Sequence, residues 1–364
     1  MRVAIDAHAI GARAGGNETY VRGLLTALRD HADDIEPIAL QTQESIDNGD
    51  IIADIETTPI PFADTPLRAL WGIGTAAKNA HADLLHAQYF VPPMCPVPCV
   101  ASVHDVAWRT CPETLPSRLR LRLELTMRGS IRRARRILTL TNAVKEEIKE
   151  NYKVPDEKID IVAPYPDAIF NQSITDDTLN KVRRKLELPS DFILYCGAMQ
   201  PRKNLTRLAR AIAAIDDAPP LVIAGPRIWR TNEIQRELER RNLGDQLRLL
   251  DYVDREDLPS LMRAAKAFTY IPLYEGFGLP VVEALACGTP VLASDIPSLR
   301  EVAGDAAQFC DPYDDAAIQD ALAALIQDIE IRTRLEHDGP QQVSRFTPQS
   351  MAKSATKAYG QALE

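Results

Sequence analysis

Along the chain, short apolar runs alternate with longer stretches in which apolar residues recur every three or four positions. The first kind reads as buried strands and the second as amphipathic helices. In the first half the predicted strands are Arg2–Asp6, Pro37–Gln41, Asp83–His86, Val97–Val103 and Arg136–Leu140. Helices are predicted over about Tyr20–Arg29, Arg118–Ala134 and Asn142–Tyr152. The rhythm pauses over Ala168–Ser190, a polar stretch with Asn171, Ser173 and paired aspartates. It restarts with strand Phe192–Cys196 and helix Leu205–Ile215, and continues through strands Leu221–Ala224, Leu247–Leu250, Ala267–Ile271 and Val291–Ala293.

Alternating strands and helices predict parallel sheets covered on both faces, and 364 residues suggest two domains of ordinary size. The expected architecture is α/β, with two doubly wound Rossmann-like domains over residues 1–168 and 191–346 and a linker over 169–190. A helical tail, residues 347–364, is able to fold back on the first domain. Ligands of open parallel sheets sit beyond the carboxyl ends of the strands. Two such domains facing a central cleft suit a two-substrate transferase. They also suit an exported binding protein, but the opening MRVAIDAHAI reads as a strand rather than a signal peptide.

Composition narrows the field. Apolar residues make up 45% of the chain, enough for two cores, and the net charge of -9 argues against a dedicated nucleic-acid binder. Cys95, Cys99, Cys111, Cys196, Cys287 and Cys310 form no Cys-x-x-Cys pair and no zinc spacing, so a reduced, cytoplasmic compartment fits best. No apolar run has the length of a membrane-spanning helix.

The most informative run is Tyr274-Glu-Gly-Phe-Gly-Leu-Pro-Val-Val-Glu283-Ala-Leu-Ala-Cys-Gly-Thr-Pro-Val291, which follows the strand Ala267–Ile271. Gly276 and Gly278 permit close backbone approach to a ligand. Pro280 suits a first helical turn, where its missing N–H is no loss. Amides around Gly278 to Val281 would then point outward with the helix dipole, a ready anion site. Glu283 is placed on the first turn of that helix and Glu275 on the loop before it, as acceptors for vicinal hydroxyls of a ribose and a sugar. Either glutamate alone reads equally well as a solvated side chain; the combination of glycines, proline and carboxylates favours a ligand.

These residues resemble family 4 of the retaining glycosyltransferases, enzymes of the GT-B fold: Glu275-Gly-Phe-Gly-Leu-Pro-x-x-Glu283 matches their E-x7-E signature at full spacing. The resemblance extends to Gly225, Asp251-Tyr-Val253 and Ser294-Asp-x-Pro-x-Leu-Arg-Glu301. It implies that Glu275, with Gly276 and Phe277, meets the donor sugar and that Glu283 meets the ribose. It also implies that the backbone from Gly278 to Leu279 holds phosphate and that the base lies near Tyr252 and Val253. The whole chain resembles bacterial mannosyltransferases of surface polysaccharide assembly. A nucleotide-diphosphate sugar, GDP- or UDP-linked and by preference GDP-mannose, is therefore the expected donor, with a glycan or lipid-linked acceptor.

A second basic site, Gly197-Ala-Met-Gln-Pro-Arg202-Lys203-Asn204, follows strand Phe192–Cys196 and opens a helix. Two adjacent cations there suit a diphosphate leaving group, through charge-assisted bonds that strengthen as the glycosidic bond breaks. Relatives often carry an arginine directly after the glycine, where this chain has Ala198; Lys203 matches the family lysine and Arg202 is the substitute for the arginine. In the first domain, Gly15-Gly16-Asn17-Glu18-Thr19 resembles the family's glycine-rich loop, which approaches the diphosphate and the acceptor. It is not a dinucleotide fingerprint. His104-Asp105 follows a predicted strand, and the matching pair in relatives places the imidazole near the donor sugar. Asp105 either orients the histidine or caps a turn.

The resemblance implies retention of the anomeric configuration by a one-face reaction, in which the departing phosphate assists the acceptor hydroxyl. Glu275 is therefore not cast as a nucleophile of the glycosidase kind. The chain has no Asp-x-Asp, so neither a bridging metal nor any other cofactor is expected; Arg202, Lys203 and the helix amides take that part. The arginine- and leucine-rich stretch 118–136 is either a surface helix with leucines inward and arginines in water, or a helix that touches anionic lipid at the inner face of the membrane. A sugar-nucleotide epimerase of the same fold and a non-catalytic nucleotide-sugar binder remain as alternatives. A dehydrogenase is disfavoured by the missing fingerprint.

Overall fold

In the computed structural model, residues 1–12, 15–62, 67–171, 174–227 and 246–364 are described. Ser173, in the polar stretch noted above, lies outside them. The chain forms two compact units: residues 1–165 with 346–364, and residues 166–345.

The first unit holds a seven-stranded sheet in the order β3-β2-β1-β4-β5-β6-β7. Its strands are β1 Arg2–Asp6, β2 Glu36–Gln41, β3 Glu56–Pro59, β4 Leu84–Gln88, β5 Cys99–Ser102, β6 Arg136–Thr139 and β7 Ile159–Ile161. All pairings are parallel. The helices are α1 Gly16–His31, α2 Gln43–Asp47, α3 Ile73–Asn79, α4 Ala107–Thr110, α5 Ser117–Arg133 and α6 Asn142–Tyr152. β5 is shorter than the predicted strand because prolines at 96 and 98 cannot donate to a ladder. Helix α1 starts at Gly16, four residues before its apolar periodicity begins, so Gly16 and Asn17 form its first turn and Gly15 its cap.

The second unit holds a six-stranded sheet in the order β10-β9-β8-β11-β12-β13. These are β8 Ile193–Cys196, β9 Leu221–Ala224, β10 Leu247–Asp251, β11 Ala267–Tyr270, β12 Val291–Ser294 and β13 Gln308–Cys310, again all parallel. Its helices are α7 Asp176–Lys185, α8 Leu205–Ala213, α9 Leu258–Ala264, α10 Leu279–Ala286, α11 Pro297–Ala303, α12 Asp315–Gln327 and α13 Ile329–Val343. The residues read as a linker thus contain α7, capped by Thr175 and buried through Val182 alone. A helix with one buried side chain leaves no apolar stripe for a sequence reading to find. It packs on α9, inside the second unit.

The last helix, α14 Pro348–Leu363, belongs to the first unit, where it packs on α1. Tyr359 on α14 and His86 on β4 meet at 2.8 Å, and the second imidazole nitrogen meets Ser102 Oγ at 2.7 Å. Arg135 donates to the Ala362 carbonyl at 3.0 Å. Burial holds His86 neutral, its pKa pushed down to about 3.

Helix α5 departs from the surface-helix reading of its sequence, with leucines inward. It is anchored through Met127, Ser130 and Ile131 in its second half. Near its middle, Glu124 accepts from Arg109 at 2.8 Å, Arg128 at 2.7 Å and Tyr152 at 3.1 Å. The leucines do not face the core: Leu121 and Leu125 are 61% and 64% exposed, and Leu119 is exposed with them. The inward-leucine reading fails because the buried face is carried by Met127, Ser130 and Ile131 instead, with the half-buried Glu124 beside them. Among the described residues, no helix is long and apolar enough to cross a membrane.

Candidate functional site

In a doubly wound sheet the strand order reverses at one place, and the loops that leave its two central strands part to opposite faces, opening a crevice. In the second unit that place is between β8 and β11. The turn after β8 carries Gly197 to Asn204, and the loop after β11 carries Pro272 to Gly278. The two segments are tied together by Leu273 N–H donating to the Arg202 carbonyl at 2.8 Å.

Arg202 and Lys203 occupy a short turn, Pro201–Lys203, and both reach Glu275. Arg202 donates to Glu275 Oε2 at 3.3 Å and to the Tyr274 carbonyl at 3.0 Å. Lys203 Nζ donates to the same Oε2 and to Tyr270 Oη. The Tyr270 hydroxyl donates to Oε2 at 2.9 Å. Burial alone would raise the Glu275 pKa; the charges of Lys203 and Arg202 outweigh it and hold the carboxyl down, at about 2. Ser298 Oγ fixes the loop by donating to the Glu275 carbonyl at 2.5 Å.

Gly278 caps α10 in the left-handed region, at φ 89°. That φ favours glycine, and a Cβ there would also stand 2.5 Å from Leu299 Cδ2 and force the leucine to move. The amide row is shorter than the sequence suggests. Pro280 has no N–H, and Val281 and Val282 both donate to the Gly278 carbonyl, at 2.9 and 3.2 Å. The amides of Gly278 and Leu279 remain as donors. Glu283 is the fifth residue of α10, on its second turn rather than its first. Burial pushes its pKa up to about 8, against the charge of Arg255 and with that of Asp167. A half-buried carboxyl without a strong cation beside it suits hydroxyl donors from a ligand.

Gly197 and Gly225, after β8 and β9, lie against each other with φ of 144° and 145°. A Cβ on Gly225 would come within 2.2 Å of the Gly197 carbonyl oxygen. Beyond β10, Tyr252 is exposed and Val253 buried, so only the tyrosine ring is available at the surface. Phe277 is buried, and the backbone of its loop, not its ring, is what the loop presents.

In the first unit the order reverses between β1 and β4. Asn17, after β1, accepts or shares a hydrogen bond with His104 Nδ1 at 3.2 Å. The imidazole sits between Tyr20, with ring centroids 4.4 Å apart, and Tyr89, at 5.2 Å. Burial pushes its pKa down to about 3, so it is neutral. Its Nε2 is buried and, among the described residues, without a partner. With Nδ1–H donating to Asn17 Oδ1, Nε2 is an acceptor. Asp105 does not orient it: Asp105 Oδ1 accepts from Ala107 N–H at 3.0 Å and so caps the entry to α4. Gln88, at the end of β4, buries both amide atoms without a partner among the described residues.

Sequence reasoning missed Tyr270, Ser298 and Gln88. The signal for Tyr270 was present: a tyrosine inside the apolar strand Ala267–Ile271 must find a partner for its hydroxyl.

Two parallel-sheet units, each with its chemistry at the carboxyl edge where the strand order reverses, describe a GT-B glycosyltransferase. Solved structures of that fold cover nearly the whole chain. Sucrose-phosphate synthase from Thermosynechococcus elongatus matches with a TM-score of 0.82 at 20% identity, over 99% of this chain and 98% of its own. Anabaena HepE in complex with UDP and glucose matches with 0.79 at 17%, over 99% of each. The family model for "Glycosyltransferase Family 4" matches residues 14–165, and that for "Glycosyl transferases group 1" matches 177–342. The O-antigen chain mannosyltransferase B of Escherichia coli is 30% identical over 298 residues, covering 81% of this chain and 77% of that protein. The chain belongs to family 4 of the glycosyltransferases.

Proposed function

We propose that this glycosyltransferase transfers a hexose, mannose from GDP-mannose by preference, to a glycan or lipid-linked acceptor in surface polysaccharide synthesis. The observation that carries the donor site is the cluster of Arg202, Lys203 and Glu275 beside the amides of Gly278 and Leu279. Two cations and two N–H donors match a diphosphate, and a carboxylate held ionised matches sugar hydroxyls. Glu283 takes the ribose, and Tyr252 the base. The preference for mannose follows the O-antigen chain mannosyltransferase B of Escherichia coli.

In this reading the reaction retains the anomeric configuration. Arg202 and Lys203 stabilise the charge that grows on the leaving diphosphate, in place of a divalent cation, and no cofactor takes part. Glu275 is engaged with both cations, which suits a binding acceptor rather than a nucleophile. Gly15, Gly16 and Asn17 border the acceptor side, His104 Nε2 accepts from a sugar hydroxyl, and Gln88 meets acceptor hydroxyls. In this reading the enzyme works in the cytoplasm. Helix α5 rests on the inner face of the membrane, its exposed leucines among the acyl chains and Arg118, Arg120 and Arg122 on anionic headgroups.

The test is incubation of the chelator-treated enzyme with GDP-mannose, other GDP-sugars and UDP-sugars, with a mixed glycan and lipid-linked acceptor pool. Nuclear magnetic resonance then reads the anomeric configuration of the product. Turnover with retention and no added metal is expected. An inverted product, or activity restored only by a divalent ion, contradicts the mechanism. Turnover of the sugar nucleotide to an epimer without acceptor contradicts the transferase reading.

A further inference from the structure

Tyr270 ends strand β11 and is 2% exposed. Its ring is stacked between Tyr195, centroids 5.9 Å apart and planes 13° from parallel, and Phe268, at 6.2 Å and 14°. Three aromatic rings in register leave it one orientation. That orientation puts Oη between the two charged groups of the site: it donates to Glu275 Oε2 at 2.9 Å and accepts from Lys203 Nζ. The ammonium also lies 4.8 Å from the centre of the Tyr270 ring, where a cation is attracted by the ring face.

Glu275 is held asymmetrically. Oε2 accepts from Tyr270, Lys203 and Arg202, while Oε1 accepts from no donor among the described residues. A carboxylate pinned through one oxygen by three donors from two segments has its other oxygen fixed in direction. Two of those donors are cations, and the donor-site reading gives both to the diphosphate. Phosphate oxygens that draw on Lys203 and Arg202 weaken their bonds to Oε2. The phenol stays, because it carries no charge for a phosphate to attract and its ring is locked in the stack.

We propose that Tyr270 is a positioning residue: it keeps Glu275 Oε1 aimed at the donor sugar while Lys203 and Arg202 turn to the diphosphate. The sugar and the diphosphate are thereby recognised separately, with Tyr270 serving the sugar. The inference rests on the donor-site reading above.

The variant Tyr270→Phe keeps the ring and its stack and removes only the hydroxyl. Wild type, Tyr270→Phe, Glu275→Gln and the double variant are compared for nucleoside diphosphate affinity, sugar-nucleotide turnover and melting temperature. Expected for Tyr270→Phe is a nucleoside diphosphate Kd within about threefold of wild type and a kcat lower by roughly 10–30-fold, the size of one charge-assisted hydrogen bond lost in the transition state. The acid limb of kcat/KM should move to higher pH, since Glu275 loses a donor that favours its ionised form. In the Glu275→Gln background, adding Tyr270→Phe should change kcat by less than about twofold, because residues acting through one another are not additive.

Wild-type turnover and an unmoved acid limb in Tyr270→Phe overturn the inference. So does an equal loss of diphosphate and sugar-nucleotide binding, which would make the tyrosine a support for the lysine alone. A full kcat loss in the Glu275→Gln background also overturns it. If the wild type itself binds no nucleoside diphosphate, the donor-site reading fails first and takes the inference with it.

Discussion

Asn17 and His104, 87 positions apart, meet at 3.2 Å and together fix which imidazole nitrogen is left as an acceptor. The buried ring is neutral, Nδ1 is engaged, and Nε2 is left as an acceptor. An unsatisfied buried acceptor costs about 1–3 kcal/mol in a folded protein, so a ligand hydroxyl that satisfies it binds to an already prepared group. His104→Ala should lower kcat/KM roughly 100-fold and Asn17→Ala roughly tenfold, with the double variant no worse than His104→Ala, since the asparagine acts through the imidazole. Steady-state kinetics of the four proteins decides it; simple additivity would separate the two residues.

If Glu283 takes the ribose as proposed, nucleotide binding should be a proton-linked event. Its folded pKa is raised to about 8, so the empty site carries the proton at neutral pH. Vicinal ribose hydroxyls donate to the ionised form, so binding below pH 8 releases that proton, and affinity rises up to about tenfold per pH unit until pH 8. Calorimetry at pH 7 in buffers of different ionisation enthalpy should show proton release in wild type and less in Glu283→Gln. Equal release in both would remove the ribose from Glu283. The same raised pKa has a stability consequence of known sign. The folded protein holds a proton that the unfolded chain gives up near the ordinary carboxyl pKa, so this group's contribution is fully present at acid pH and is lost as pH rises to about 8.

Gly225 packs against Gly197, where the turn that carries Arg202 and Lys203 begins. Its amide donates to the Asp251 carbonyl at 2.6 Å, and a Cβ would strike the Gly197 carbonyl. Gly225→Ala adds a clash to a φ that L-residues avoid, and should cost on the order of 2–4 kcal/mol. A denaturant titration measures it. A loss below about 0.5 kcal/mol, the size of an ordinary surface change, would contradict the packing described.

Helix α5 gives the membrane reading a sharp form. Wild type should sediment with anionic vesicles and dissociate at high salt. Leu121→Ser with Leu125→Ser should abolish sedimentation. Arg118, Arg120 and Arg122 changed together to Gln should weaken it by on the order of 100-fold, at about 1 kcal/mol per cation. Identical sedimentation of all three proteins, or none by wild type, would leave α5 a solvent-facing helix.

The two doubly wound sheets were legible because buried parallel strands are uninterrupted apolar runs, as in β1, β8 and β11. Edge strands β3, Glu-Thr-Thr-Pro, and β7, Ile-Asp-Ile, bury less and carry no such run. Helix α7 was hidden because it buries one residue. In the site, Arg202, Lys203, Glu275 and Gly278 could be named from spacing alone, since glycines, proline and charges are local signals. What spacing could not show is which groups touch. Asn17 reaches His104 and Lys203 reaches Glu275 only because strand order brings separate loops to one edge. For Asp105 the sequence left two roles open, orienting the histidine or capping a turn, and the carboxylate caps the turn.

The central claim is that the Lys203–Glu275 cluster is a nucleotide-sugar site. Its most direct measurement is calorimetric titration of wild type, Lys203→Ala and Glu275→Ala with GDP, UDP and the matching sugar nucleotides. The account predicts that wild type binds one nucleoside diphosphate, that Lys203→Ala binds it at least about tenfold more weakly through loss of a charge-assisted bond, and that Glu275→Ala keeps the diphosphate but loses transfer. A wild type that binds neither GDP nor UDP species, or a Lys203→Ala that binds them unchanged, would contradict it.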